Sequence, residues 1–336
     1  MKLGRISVDS PDGPVARLVA ALPEEGRVVD LATAQRLRLE RGSASPGAAR
    51  RLAAALFPPS MAAALELGEV FTTACATAVA QAGDAASLAI DEVRWLPPVD
   101  APLLRDFLAF EEHLHNSFRR LGNAVPAVYS QIPIYYKGNS STLVGHDTEI
   151  AWPLGCDSLD YELELGFVIG RSCIDATLEQ ARRSLFGITI LNDFSARDLQ
   201  TREMAGLLGP AKGKDFATAL GPWITTTDEL DPAALTMCAR VNGEEWSRGS
   251  SATITWAVEE LIAYASRSEL LAPGEVLGSG TVGRGCGLEL DRELHTGDVV
   301  ELEVEGIGVL RNRIGERRAG GWVPTPRAPA VAGAQQ

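Results

Sequence analysis

Residues Leu159–Gly170 read LDYELELGFVIG, and the way this run folds decides how the rest of the chain can be arranged. Side chains along an extended strand leave alternately on opposite faces. Glu162, Glu164 and Gly166 therefore share one face, with Tyr161, Leu163, Leu165 and Phe167 on the other. Two carboxylates side by side are ordinary on a strand washed by solvent. Here the flanks are apolar, and adjacent carboxylates inside a core repel each other and lose hydration unless a cation neutralises them. Their hard oxygen donors suit Mg²⁺, Ca²⁺ or Mn²⁺ better than zinc.

Working outward, ITILNDFSARDLQ (188–200) is an apolar run ending at Asn192-Asp193, so Asp193 is placed to add a third carboxylate or to cap the following turn. Arg197 and Gln200 then offer fixed donors to an oxyanion or substrate carboxylate, with a local Arg197–Asp198 ion pair as the alternative. KGKDFATALGPW (212–223) adds Lys212 and Lys214. VLGSGTVGRGCGLEL (276–290) places Thr281 in a glycine-rich loop and Glu289 in an expected next strand. That loop lacks the lysine and helix of a nucleotide site. Upstream, APLLRDFLAFEEHLHNSF (101–118) sets Asp106 and His113 seven residues apart, two turns if the segment is helical, so both can face one side. A neutral imidazole near a metal is a natural general base. His115 competes for that role, and spacing alone does not choose between them.

The wider chain reads as α+β, mainly β. Residues 3–20 alternate around a Pro11-Asp12-Gly13 turn signal, as a hairpin does. The Ala- and Leu-rich stretch from Leu31 to Ala82 reads as helices broken at Gly42 to Pro46 and at Pro58-Pro59. The composition shifts after Pro97-Pro98, which divides the chain into a domain of residues 1–98 and a second of 99–322, followed by a Pro- and Ala-rich tail, 323–336, expected to be disordered. Beyond Pro133, short strands are expected over Tyr161 to Ile169, Phe186 to Leu191, Leu235 to Val241 and Val299 to Val304. Two helices interrupt them, one capped by Thr177 with Gln180 and one from Trp256 to Ser266.

A formal net charge of -13 argues against nucleic acid or an anionic membrane as the main partner and points to small molecules. Five cysteines without zinc-type spacing fit free thiols in a reducing compartment. No stretch is apolar for the roughly 18 residues that a membrane span needs, and a cytoplasmic location is the expectation.

In this order, YELELGFVIG, LNDFSARDLQ, GKDFATALGPW, VNGE, the Ser279-Gly280-Thr281 loop and LHTGDVVELEVEGIGVLRNRI form a series that resembles the fumarylacetoacetate hydrolase family over nearly the whole chain, most strongly from Asp106 to Gly315. The resemblance implies a C-terminal catalytic domain with a mixed β-roll, a small N-terminal domain, a homodimer and a divalent metal, Mg²⁺ first and Ca²⁺ or Mn²⁺ as alternatives. Carried over by position, it makes Glu162, Glu164 and Asp193 metal ligands, joined by Asp106 in the fumarylacetoacetase-like branch. It selects His113 over His115 as the water-activating base, oriented by Glu289, and gives oxyanion stabilisation to Arg197, Gln200 and Lys214. Tyr136 and Thr281 match substrate-binding positions. The chain departs from that branch where it has tyrosines, having Leu108 and Met204 instead, and an expected arginine falls near Gly122, close to Arg119 and Arg120. Hydrolytic cleavage of a carbon–carbon bond in a β-diketo acid is the implied activity. Decarboxylation or isomerisation of a related oxoacid is the alternative within the family, and a non-catalytic metal- or ligand-binding protein the alternative outside it. Retention of Asp106, His113, Lys214 and Glu289 together argues against the last, because binding alone needs no base.

Overall fold

The hairpin signal at Pro11-Asp12-Gly13 joins two strands, Lys2–Val8 and Val15–Leu22, paired without slippage from Lys2 with Ala21 to Val8 with Val15. The computed structural model describes residues 1–322 and 324–327; the expected tail therefore lies outside the described residues except at 324–327, which are exposed. Asp30 caps the Leu31–Arg41 helix by accepting from the Thr33 N–H, and the helices Pro46–Leu56 and Met61–Leu65 follow the two expected breaks; a third break, at Glu66 to Gly68, was not expected and separates off Glu69–Ala80.

The hairpin does not stand apart. Lys2–Val8 pairs with Thr218–Thr226 and so joins a 12-stranded mixed sheet that runs across residue 98. Its centre holds Thr218–Thr226, Leu185–Asp193, Leu163–Ile169, Val276–Gly278 and Leu104–Phe107 in that order. A second, five-stranded sheet contains Thr236–Val241, Val299–Val304 and Gly308–Arg317. Leu163, Leu165 and Phe167 point into the core shared with that sheet, alongside Met237, Ala239 and Leu302. Val168, on the opposite face, packs with the helical layer through Phe71, Leu191 and Val276. Every residue of Leu163–Ile169 is consequently buried, which explains why its flanks are apolar on both faces.

The Thr177 capping box is present on the Leu178–Ser184 helix, and the second expected helix spans Val258–Ala265. Two elements near the glutamates differ from expectation. Asp106 lies on the strand Leu104–Phe107 and not on a helix with His113, which belongs to the separate helix Glu111–Arg120. Parallel pairing of Leu104–Phe107 with Val276–Gly278 holds it extended, a long-range constraint that outweighs its helix-compatible pattern. Glu289 lies on the short helix Gly287–Leu290 and not on a strand.

Candidate active site

Strand register builds the acidic cluster. Glu164 stands opposite Leu191 in the pairing of Leu163–Ile169 with Leu185–Asp193, and Asp193 ends the latter strand. Glu162 precedes the former strand, with its backbone N–H donated to Asn192 Oδ1 at 3.0 Å. Asp106 arrives from the other side, opposite Gly278 in one neighbouring strand and Tyr136 in the other. Asp106, Glu162, Glu164 and Asp193 each contribute an oxygen within 4.8 Å of the others, and all four are buried. Gly278 makes room for them, since a Cβ there would run into Asp106 Oδ1.

Cations answer only part of this charge. Lys214 Nζ reaches Glu162 Oε2 and Asp193 Oδ2, each at 2.5 Å, and Arg197 Nη1 reaches Glu162 Oε1 at 2.9 Å. Burial pushes the Glu162 carboxyl up, but Lys214, Arg197 and His113 prevail and bring it down to about 2. Asp106 and Glu164 make no direct ion pair among the described residues, although Lys214 acts on Asp106 from a distance. Burial, reinforced by neighbouring carboxylates, holds both well above the ordinary carboxylate range. Thr281 donates to Glu164 Oε1 at 3.1 Å, whereas Glu164 Oε2 is buried with no hydrogen-bond partner. An orphaned carboxylate oxygen inside a hard, four-carboxylate donor set fits a divalent cation such as Mg²⁺, Ca²⁺ or Mn²⁺.

Beside the cluster stands the imidazole. His113 Nδ1 lies 2.8 Å from Glu289 Oε2, and Glu289 is held by Asn116 Nδ2 at 3.0 Å and the Arg284 N–H at 2.9 Å. Burial opposes ionisation of Glu289, yet its contact with His113 and these donors bring its carboxyl below the usual range. His115 is exposed and near Glu111 of its own helix. Tyr136 Oη donates to Asp193 Oδ2 at 2.7 Å, and Gln200 Oε1 accepts from Arg197 Nη1 at 3.1 Å. The candidate residues thus form two connected groups, Tyr136, Thr281, Lys214, Arg197 and Gln200 around the carboxylates and His113 with Glu289, whereas His115 and Lys212 are exposed and lie outside both.

Arg197 does not pair with Asp198. Its Nε and Nη2 donate to Asp160 Oδ2 at 2.9 and 2.7 Å, while Asp198 accepts from the Asp157 N–H. Consecutive helical residues point in different directions, which makes the adjacent pair a poor one. Asp160 is the residue that sequence reasoning missed. It also accepts from the Gly287 and Leu288 N–H groups at 2.7 and 3.0 Å, and so ties the arginine to the helix that carries Glu289. The signal was present, because the alternation that aligns Glu162 with Glu164 places Asp160 in the same series. Of the positions that depart from the fumarylacetoacetase-like pattern, Leu108 is half-buried, Met204 is exposed, and Arg120 pairs with Asp291.

A family model described as fumarylacetoacetate hydrolase, C-terminal, matches residues 103–315, the span that contains every residue of this site. The chain belongs to the fumarylacetoacetate hydrolase family. Family members of several activities are similar to it. An oxaloacetate tautomerase of Bacillus subtilis is 33% identical over 192 residues, 56% of this chain and 61% of that protein. The solved fumarylacetoacetate hydrolase of Exiguobacterium antarcticum superposes with a TM-score of 0.69 at 26% identity, covering 94% of this chain and 100% of that one. A 2-hydroxyhepta-2,4-diene-1,7-dioate isomerase of Mycobacterium marinum gives a TM-score of 0.63 at 25% identity, covering 94% and 98%. The fold and the enzyme family are therefore shared among hydrolases, isomerases and tautomerases. Among the described residues no helix is long and apolar enough to cross a membrane.

Proposed function

We propose that this protein is a divalent-metal-dependent hydrolase that cleaves a carbon–carbon bond of a β-diketo acid of the acylpyruvate or fumarylacetoacetate type. The observation that carries the reading is the pairing of His113 with buried Glu289, whose helix is tied to the four-carboxylate cluster through the Cys286–Glu162 backbone bridge and through Asp160. A divalent ion held by Asp106, Glu162, Glu164 and Asp193, Mg²⁺ being our first choice, would supply Lewis-acid polarisation of the substrate's oxygens.

The chain's own residues account for the rest. With Nδ1–H donated to Glu289, the tautomer leaves Nε2 of His113 as an acceptor for a proton of water. Water adds to the carbonyl remote from the carboxylate, and the bond between that carbon and the central CH₂ breaks. One fragment leaves as a carboxylic acid. The electron pair stays with the CH₂ carbon, which takes up a proton and ends as the methyl of an oxoacid, a 2-oxoacid from an acylpyruvate and a 3-oxoacid from a substrate of the fumarylacetoacetate type. Negative charge develops on the oxygens of both fragments, and Lys214 and Arg197 supply fixed positive charge in a site shielded from water. Lys214 is already held by Glu162 and Asp193, so little reorganisation is needed when that charge appears. Tyr136 and Thr281 donate to the carboxylates of Asp193 and Glu164, and we assign them to substrate binding. A homodimer in the cytoplasm is the setting we expect.

Acylpyruvates, fumarylacetoacetate and oxaloacetate incubated with Mg²⁺-loaded protein test the reading by loss of enol absorbance and product mass. Hydrolysis yields two fragments and consumes one water. His113→Ala is expected to lower turnover by about 10²–10⁴-fold with metal still bound; full activity in that variant would sink the assignment. The similarity to an oxaloacetate tautomerase favours a second reading, keto–enol interconversion with the same base. It predicts absorbance change without any change of mass.

A further inference from the structure

Glu289 Oε2 accepts hydrogen bonds from two side chains of different chemistry. One comes from His113 Nδ1 at 2.8 Å, the other from Cys286 Sγ at 3.3 Å. A nitrogen, a sulfur and an oxygen donor from these residues lie within 4.8 Å of one another, and the side chains of His113 and Glu289 are 6% and 0% exposed. Donor atoms on one tetrahedral zinc, with bonds of about 2.0–2.3 Å, are spaced roughly 3.3–3.7 Å apart. The trio is therefore close to the size of a zinc site before any metal enters.

The scaffold around it is rigid. Cys286 and Glu289 stand three residues apart at the start of the Gly287–Leu290 helix, whose first N–H groups are pinned by Asp160. The backbone of Cys286 also bridges to Glu162. The second oxygen of Glu289 is fixed by Asn116 and Arg284, which leaves Oε2 as the free end facing the imidazole and the thiol.

We propose that His113, Cys286 and Glu289 form a second metal site, selective for thiophilic dications such as Zn²⁺ or Cd²⁺, whose occupation shuts the enzyme off by capturing its base. The soft thiolate and imidazole donors separate it chemically from the all-oxygen cluster, which retains Mg²⁺. On binding through Nδ1 the imidazole takes its other neutral tautomer, with its proton on Nε2, and the thiol proton leaves to solvent, so one dication replaces one proton and the net charge of the trio rises by one unit. Water fills the fourth position. The inhibitory half of the proposal rests on the functional reading above, whereas the binding half does not.

Titration of Mg²⁺-loaded protein with Cd²⁺ tests binding directly. One equivalent is expected to raise a thiolate-to-metal charge-transfer absorption with Mg²⁺ still bound. Cys286→Ser should lose that band and bind at least about tenfold more weakly, while keeping Mg²⁺-dependent turnover and resisting Zn²⁺ at concentrations that silence the native enzyme. Cys286→Ala provides the same comparison should the serine variant fold poorly. Persistence of the band in both variants would assign it to another of the free thiols and overturn the site. Uptake of Cd²⁺ that expels Mg²⁺ without a thiolate band would do the same, by showing that only the carboxylate cluster binds. If the native protein turns over none of the candidate substrates, the functional reading fails while the Cd²⁺ titration still decides the site.

Discussion

Arg105 and Asp106 are neighbours on one strand, and each is buried in a cluster of charges on its own side of the sheet. Around Arg105 the charges balance. Its guanidinium pairs with Glu275 and with Glu269 Oε1 at 2.7 Å, and Lys137 reaches the same Glu269 oxygen at 3.0 Å. Around Asp106 they do not, because among the described residues Asp106, Asp160, Glu162, Glu164 and Asp193 face only the cations Lys214 and Arg197. A compensated buried cluster serves the fold, and removing one member leaves a stranded charge. An uncompensated one is costly to keep, and a dication would remove most of the excess. The adjacent residues thus separate a structural use of buried charge from a functional one.

The largest effect should come from breaking the balanced side. Arg105→Met leaves Glu275 buried without its partner and is expected to cost about 3–5 kcal/mol, measured by denaturant unfolding with and without Mg²⁺. Equal loss in both conditions supports the division, and a loss confined to the metal-loaded protein would erase it. Next in size is the response to metal. Mg²⁺ at about 100 times its dissociation constant should stabilise the native protein by about 2.7 kcal/mol. Glu164→Gln should remove that gain, because it strips the orphaned oxygen of its charge. A mutant melting curve that still rises normally with Mg²⁺ would argue that Glu164 is not a ligand.

What could be read in the sequence divides along the same lines. The hairpin, the two expected helix breaks and the Thr177 cap are local, and they stand where the pattern puts them. The alternation of Glu162 and Glu164 is local too, and it exposed the core of the acidic site. What stayed hidden depends on pairing between distant segments. Asp106 sits on a strand because Val276–Gly278 pairs with it, and the meaning of Asp160 lies with partners near residues 197 and 287. The order of the family's motifs bridged that gap for His113 and Glu289, which are 176 residues apart in the chain.

Asp160 gives a sharper and smaller test. It holds Arg197, which in turn holds Glu162 of the acidic cluster, so it acts on the cluster from behind. Asp160→Asn keeps the shape and loses the charge, and a loss of about 10–100-fold in kcat or metal affinity is expected. Because Asp160 also pins the helix of Glu289, the pH profile of kcat should move as well. An unchanged profile would confine its influence to the arginine.

The smallest effect is a slope, and its sign separates the two halves of the acidic cluster. Asp106 and Glu164 have folded pKa values raised by burial and by like charge. Such a group contributes stability that is complete below its ordinary value and is lost as pH rises toward the folded one. Metal-free protein should therefore weaken from about pH 5 upward, by at most about 1.4 kcal/mol per pH unit for each group. Glu162 works in the opposite sense. Burial pushes its carboxyl up, but Lys214 and Arg197 bring it to about 2, so its contribution is present above its ordinary value of 4.5 and fades only as pH falls toward 2. Bound Mg²⁺ should abolish the loss at rising pH, because the complex needs Asp106 and Glu164 ionised. Unfolding free energies of chelator-treated and Mg²⁺-loaded protein, followed from acid to neutral pH, measure this. Flat behaviour without metal would mean that these carboxylates already have a compensating partner, and the contrast with Arg105 would disappear.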